Sequence, residues 1–588
     1  MKTAKPTTVL VLATVLALGA AACGGHGGSN NGSGGGGSGG SAAKDAALTS
    51  VVNPSTKKGG TVKLDASDAF DLDPGDTYYG WVENFSRLYA RTLLTFQPAP
   101  GKAGLKLVPD LATSLGTPSD GARTWTYHLR TGLTFQDGTP ITSQDVKYAI
   151  ERSNFAPEVL SDGPTYFRAY LKGGASYKGP YKDKSKAGLK SIATPDAHTI
   201  VFHLNRPFAD FDYLASFSQT APVPAAKDTG ATYKQHIVSS GPYEFKSYQE
   251  GIGATLVRNP KWDPKTDPVR KALPDKYVIR FKVNPQTIDN DLLAGNITVD
   301  GVGLGVQSET QSKVLSRPAL LRNTDDSISG ALSYIALSTK VKPFDNVNCR
   351  QAVEWAVDKT SVQDAEGGAV KGDIATTVLP PSVNGYRKFD LYPSTGGHGN
   401  IAKAKAALAK CGHPNGFSTT LTARTDRQAE TDAATAIQAA LKKVGIKVSI
   451  QTYPSGKYFS NYAGVPSWVH AHGAGMMMMA WGADWPTGYG FLDQIADGSA
   501  IKPSGGDNLS ELNDPTINKA LSSAIANTNT AARTKAWGDI DELIMKQAAI
   551  VPLLYSKNLL YRPPSATNVT VTQTYLGMYD YLALGSSQ

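Results

Sequence analysis

Two hydrophobic periods alternate along this chain from about residue 57 onward. Trp125, Tyr127 and Leu129 are separated by polar residues, the period of two that predicts a half-buried strand. Ile200, Phe202 and Leu204 repeat that pattern within 198–204. Near residue 142 the period changes. Thr142 with Asp145 makes a capping-box-like start, and Val146, Ala149 and Ile150 then share one helical face. A longer helix is predicted from near Asp432, with Ala433, Ala436, Ile437, Ala440, Leu441 and Val444 as its apolar stripe. Lys442 and Lys443 suit the negative end of its dipole, and Gly445 supplies a C-terminal cap. Ile446, Val448 and Ile450 then alternate as a strand. The run Met476–Met479 on a strand would send successive side chains to opposite faces, both into packing. Strands interleaved with helices predict a mixed α/β chain of more than one lobe.

The N-terminus has a different pattern. Lys2 and Lys5 precede an apolar run from Val9 to Ala22 that matches a signal-peptide core and is too short to span a bilayer. Ala20, Ala21 and Ala22 lead into Cys23, which resembles a bacterial lipobox, although Ala20 stands where Leu is usual. On that reading the Cys23 thiol takes a lipid and cleavage makes it the new N-terminus. The alternative is an ordinary secretory signal with an unrelated cysteine. From Gly24 to about Ser41 the chain is nearly all Gly, Ser and Asn, too poor in apolar surface to fold. The expected organisation is a signal peptide over 1–22, a lipid-anchored flexible linker over 23–56 and a folded region over 57–588. Gly36-Gly37-Ser38-Gly39-Gly40 fits G-x-S-x-G only by low complexity, without the strand and helix that pattern needs.

A length of 588 residues allows two to four domains, and 40% hydrophobic with 19% charged residues is ordinary for a soluble globular chain. The net charge of +9 is not gathered into a Lys/Arg run, so no nucleic-acid partner is implied. No zincin, Walker or kinase signature is present. The nine histidines are scattered, and His470 and His472 would point to opposite sides of a strand. No catalytic set, metal or cofactor is therefore expected, and the chain does not read as an enzyme. Cys349 and Cys411 lack zinc-ligand spacing; in an exported protein they form a disulfide or remain two buried thiols. Gly301, Gly303 and Gly305 read as a flexible crossing between lobes or as ordinary turn glycines.

Several blocks, in order, resemble the extracellular solute-binding proteins of family 5, the oligopeptide-, dipeptide- and nickel-binding components of ABC importers. They are Gly59-Gly60-Thr61-Val62; Val108-Pro109-Asp110-Leu111-Ala112; Leu129-Arg130-Thr131-Gly132-Leu133-Thr134-Phe135 with Asp137-Gly138-Thr139-Pro140; Ser240-Gly241-Pro242-Tyr243; Arg258-Asn259-Pro260; Pro343-Phe344-Asp345-Asn346-Val347 with Arg350-Gln351-Ala352; Trp481-Gly482-Ala483-Asp484; and Ile550-Val551-Pro552-Leu553. The resemblance implies a periplasmic-binding-protein-like type II fold, two α/β lobes around a ligand cleft with a third inserted domain. Lobe I would be about 57–92, 238–325 and 552–588, lobe II about 93–237 and lobe III about 326–551. It also implies a monomer on the outer face of the cytoplasmic membrane of a Gram-positive bacterium, partnered by ABC permease subunits and by a short peptide ligand.

In the peptide-binding branch, the residue matching Asp484 pairs with the ligand's N-terminal ammonium. A carboxylate between Trp481 and Trp485 suits that role, because an arriving cation offsets its desolvation. The main chain at Gly482 and Ala483, and the segment Tyr79-Gly80-Trp81, would flank the ligand as neighbouring strands. Tyr166 would reach it from lobe II. Some oligopeptide binders place an Arg before this Trp to meet the ligand's carboxylate; here that stretch is Met476–Met479. Recognition weighted toward the amino end is expected. The alternatives are an oligosaccharide receptor stacking sugars on Trp81, Trp481 and Trp485, a nickel-chelate receptor, a peptide-sensing lipoprotein, or a secreted hydrolase.

Overall fold

A computed structural model describes residues 43–69 and 71–587. The expected signal segment, Cys23 and the Gly/Ser tether to Ser41 lie outside the described residues.

Three main sheets organise the chain. The first runs Val299–Asp300, Thr61–Asp65, Lys276–Arg280, Gly253–Arg258, Tyr243–Gln249. Thr61–Asp65 pairs in parallel with both neighbours, and the remaining pairs are antiparallel. The second is four-stranded, Thr117–Ser119, Thr124–His128, Thr199–His203, Ile192–Asp196. Trp125, Tyr127, Ile200 and Phe202 are buried on its inner face, as their spacing predicts. Beside it, helix Ser143–Phe155 starts at Thr142, whose backbone N–H donates to Asp145 Oδ2 at 2.8 Å. The third sheet is six-stranded, Gly372–Ile374, Ile550–Tyr561, Thr324–Leu337, Met476–Gly482, Ser418–Arg424, Lys447–Tyr453. Helix Gln428–Lys442 covers it and begins ahead of Asp432, because Glu430 in its first turn accepts from Arg424 N at 2.8 Å.

The family-like block around Asp110 is a structural hub. Asp110 accepts from Arg91 Nε at 2.7 Å and from Arg270 Nη1 and Nη2 at 2.9 and 2.7 Å, all of it buried. Removing one partner of such a network strands a charge, at a cost of roughly 3–5 kcal/mol. In Asp137-Gly138-Thr139, the Asp137 carboxylate accepts from Thr139 N at 3.0 Å, and Gly138 takes φ +85°. Cys349, on helix Val347–Ala356, is bonded to Cys411 at the end of helix Ile401–Lys410, with Cα atoms 5.4 Å apart.

Three expectations are corrected. The segment expected as flexible linker to residue 56 is packed from residue 43. Ala47 is buried and its N–H donates to Asp325 Oδ1 at 2.9 Å; Arg562 Nη2 donates to Ala43 O at 2.7 Å; Val52 and Val569 exchange hydrogen bonds of 2.8 and 3.0 Å. Two buried apolar side chains and a waiting acid suffice to dock it. Second, strands Thr324–Leu337 and Ile550–Tyr561 run straight through the expected lobe boundaries at 325/326 and 551/552, paired from Thr324↔Tyr561 to Ala336↔Ile550. The Gly301–Gly305 turn packs against this ribbon. Asn558 Nδ2 donates to Gly303 O at 3.0 Å, and a Cβ on Gly305 would lie 2.8 Å from Leu559 O. Third, His470 lies on helix Pro466–Ala471, not on a strand, with Nε2 2.7 Å from Glu511 Oε1.

Candidate functional site

The site grows out of one strand. Along Met476–Gly482 the alternation predicted for the methionines is realised. Met477 and Met479 enter the core that holds Trp485 and Tyr489, while Met476 and Met478 enter the core beneath helices Val347–Ala356 and Gln428–Lys442. Pairing with Ser418–Arg424 stops at Thr422↔Met477, whereas pairing with Thr324–Leu337 continues to Ala331↔Gly482. From Met478 onward the strand therefore has a ladder partner on one side only, and the motif Trp481–Trp485 follows where the sheet opens.

Asp484 stands just past that strand. Its N–H donates to Gly490 O at 3.0 Å. The turn after it is clamped by buried Asp210, which accepts from Trp485 Nε1 at 3.1 Å and Thr487 Oγ1 at 2.6 Å and pairs with Arg533 Nε at 3.0 Å. Thr487 caps helix Gly488–Ala496 through Gly490 N. The Asp484 carboxylate accepts hydrogen bonds from two tyrosine hydroxyls, Tyr78 on one oxygen and Tyr166 on the other. Desolvation pushes its pKa up to about 7, against the lowering effect of the two hydroxyls and with help from the charges of Asp507 and Asp493. Desolvation also raises both tyrosines, so they stay protonated donors.

A cavity of about 30 Å³ lies beside Asp484, lined by Glu83, Arg87, Phe217, Trp485 and Tyr575 among others. Glu83, on helix Gly80–Ser86, is pushed up to about 8, first by desolvation and then by the Asp484 charge. Arg87 is paired with Asp580 at 2.5 Å and stacks on Tyr575 at 4.4 Å, so its charge is compensated. Among the described residues neither Asp484 nor Glu83 forms an ion pair. The cavity thus holds two carboxyl groups that a cation would stabilise. Among the described residues, no group of three or more His, Cys, Asp or Glu is placed to hold a metal ion.

The predicted residues divide. Asp484, Trp485 and Tyr166 come together, with the Tyr166 ring edge-on to Trp485 at 5.1 Å. Trp485 is 3% exposed and is a wall rather than an open platform. Trp481 donates its indole N–H to Phe491 O at 2.8 Å. Trp81 packs in the core edge-on to Phe281 at 6.4 Å, away from the cavity lining. Gly80 and Gly482 face a common neighbour, Leu576. Ala483 packs at the edge of the core beside Trp481. Tyr79 caps helix Gly80–Ser86 and is 49% exposed, while its neighbour Tyr78 reaches the carboxylate. Successive side chains of an extended segment point to opposite sides, so a one-residue choice decides which tyrosine serves. Glu83, Arg87 and Tyr575 were missed. The only signal for Glu83 was its place on the helix that opens at Gly80.

Comparison with known proteins places these features in context. The family model for bacterial extracellular solute-binding proteins, family 5 Middle, matches residues 106–503. A solved structure titled clavulanic acid biosynthesis oligopeptide binding protein 2 is 41% identical, with a TM-score of 0.90 over 93% of this chain and 99% of its own. A probable D,D-dipeptide-binding periplasmic protein of Escherichia coli K12 is 27% identical, covering 84% of this chain and 87% of that protein. Di/tripeptide-binding protein 1 of Pseudomonas aeruginosa UCBPP-PA14 is 25% identical, covering 79% and 83%.

Proposed function

This chain belongs to the bacterial extracellular solute-binding proteins of family 5, and from that premise we propose that it captures short peptides by their free amino terminus and delivers them to the permease of an ABC importer. The observation that carries the reading is Asp484, a carboxylate bound by two neutral hydroxyls, with no cation paired to it among the described residues. Asp484 and Glu83 share one cavity. A ligand ammonium supplies the missing charge, and a charge-assisted bond to it is stronger than a neutral one. The open edge beyond Met478 suits main-chain pairing, which takes many sequences. The peptide-binding titles of its relatives agree with this reading. Stacking of sugar rings on Trp81 and Trp485 is disfavoured, because each is 3% exposed, which leaves partly buried Trp481 as the one tryptophan of the three open to it.

We assign the protein to the outer face of the cytoplasmic membrane, tethered by a lipid on Cys23. That segment lies outside the described residues, and the support is the Lys2/Lys5, apolar-run and Cys23 pattern. Among the described residues no helix is long and apolar enough to cross a membrane.

Titration calorimetry with a pool of free-amine dipeptides and tripeptides, their N-acetylated forms and cello-oligosaccharides tests the ligand. Heat is expected with free amines only; equal binding of acetylated peptides would refute the amine anchor. For location, Cys23→Ala should release the protein into the medium, and its retention in the membrane fraction would refute the lipid anchor.

A further inference from the structure

A turn near the C-terminus carries a leucine where its backbone favours other residues. Strands Val571–Thr572 and Met578–Tyr579 pair antiparallel, and Met578 N donates to Tyr575 O at 3.2 Å. The two central residues of that turn, Leu576 and Gly577, have φ of +54° and +70°. Turns with both central residues at positive φ favour Asn, Asp or Gly at the first of them. A leucine there brings Cβ against the following carbonyl. The turn is held on both sides of it. Tyr575 is buried under the Arg87 guanidinium, and a Cβ on Gly577 would lie 2.3 Å from Ile328 O.

Leu576 is 39% exposed, and its side chain lies against Gly80 and Gly482. A Cβ added to Gly80 would lie 3.2 Å from Leu576 Cγ, and one added to Gly482 would lie 3.6 Å from its Cδ2. Gly80 opens helix Gly80–Ser86, and Gly482 ends the strand that leads to Asp484. The leucine therefore stands between the two main-chain positions that would flank a ligand. A strained, partly exposed apolar residue, held from both sides at a cleft, is where strain serves selection.

We propose that Leu576 sets the length of ligand this protein accepts. Standing between Gly80 and Gly482, it blocks the path of a longer main chain past Asp484 and admits only a very short peptide. This rests on the amine-anchored peptide reading above.

The test compares the wild-type protein with Leu576→Gly and Leu576→Asn, both of which suit the positive φ and are expected to fold at least as stably. Calorimetry is run with free-amine alanine peptides from dialanine to hexa-alanine. The wild type should prefer dialanine, with affinity falling about tenfold or more by tetra-alanine. Leu576→Gly should regain about tenfold for tetra-alanine and longer while dialanine stays within about threefold, with Leu576→Asn between. Binding with the same length profile in all three proteins overturns this inference and leaves the amine anchor standing. No heat from any peptide in any of them overturns the peptide reading and this inference with it.

Discussion

The two halves of strand Met476–Gly482 show what separates a structural segment from a recognition segment. In the first half, each methionine is within 3% of full burial and meets a core on its own face of the sheet. Its main chain has ladder partners on both sides at Met476 and Met477. In the second half, one neighbour strand has ended, the side chains are exposed or partly exposed, and Asp484 follows with no ion partner among the described residues. The chain thus passes from satisfied packing at the start of this seven-residue strand to a carboxylate without an ion partner, among the described residues, just beyond its end. On the proposed function, the binding end is marked by what it lacks, a second ladder partner and, among the described residues, an ion partner for Asp484.

The sharpest way to break this comparison is at its polar end. Asp484→Asn should weaken binding of free-amine dipeptides about a hundredfold, roughly 3 kcal/mol, without lowering the stability of the unliganded protein. Calorimetry and urea unfolding read the two quantities; a large loss of stability would place Asp484 with the methionines. At the other end, Met478→Ala should cost roughly 2–3 kcal/mol of stability by leaving a cavity, with dipeptide affinity of the folded protein unchanged. Here a shift in affinity as large as the shift in stability would erase the distinction.

A smaller effect comes from pH. The Asp484 pKa is raised to about 7 and that of Glu83 to about 8. Raised carboxyl pKa values stabilise the unliganded fold at low pH, and that contribution is lost progressively as pH rises from about 4, where the unfolded carboxyls ionise, to 7–8. An ammonium ligand needs the ionised Asp484, so affinity should rise about tenfold between pH 5.5 and 7.5 with proton release. Calorimetry in buffers of different ionisation heat counts the protons; a flat profile would mean Asp484 is already ionised in the free protein. Smallest of all, Tyr166→Phe removes one of two hydroxyl donors and should change dipeptide affinity by about 1 kcal/mol. Its direction is informative: weaker binding makes the hydroxyl a co-ligand of the carboxylate, and tighter binding makes it a competitor that the ammonium displaces.

Much of the architecture was legible in the order of residues. The alternation at Trp125 and Ile200, the Thr142 start and the Ala433–Leu441 stripe are local patterns, and each element appears where its period put it. Other readings missed contacts made far along the chain. Ala43 to Val52 follows the Gly/Ser run and reads as linker, yet it docks on Asp325, Arg562 and Val569, more than 270 positions away. The site divides the same way. Asp484, Trp485 and Tyr166, expected from the motif and the family resemblance, lie together in the structure. Tyr78, one position before the expected Tyr79, reaches the same carboxylate, and Glu83, Arg87 and Tyr575 line the cavity beside it from segments far along the chain.

By itself, then, the sequence determined the family, the succession of elements and the acid at the strand's end, because these depend on neighbours within a few residues. The tertiary structure decided which tyrosines hold that acid, which tryptophans are walls rather than platforms, and that a leucine near the C-terminus stands between Gly80 and Gly482. Those outcomes depend on which distant groups exclude water from one another, and periodicity along the chain carries no record of that.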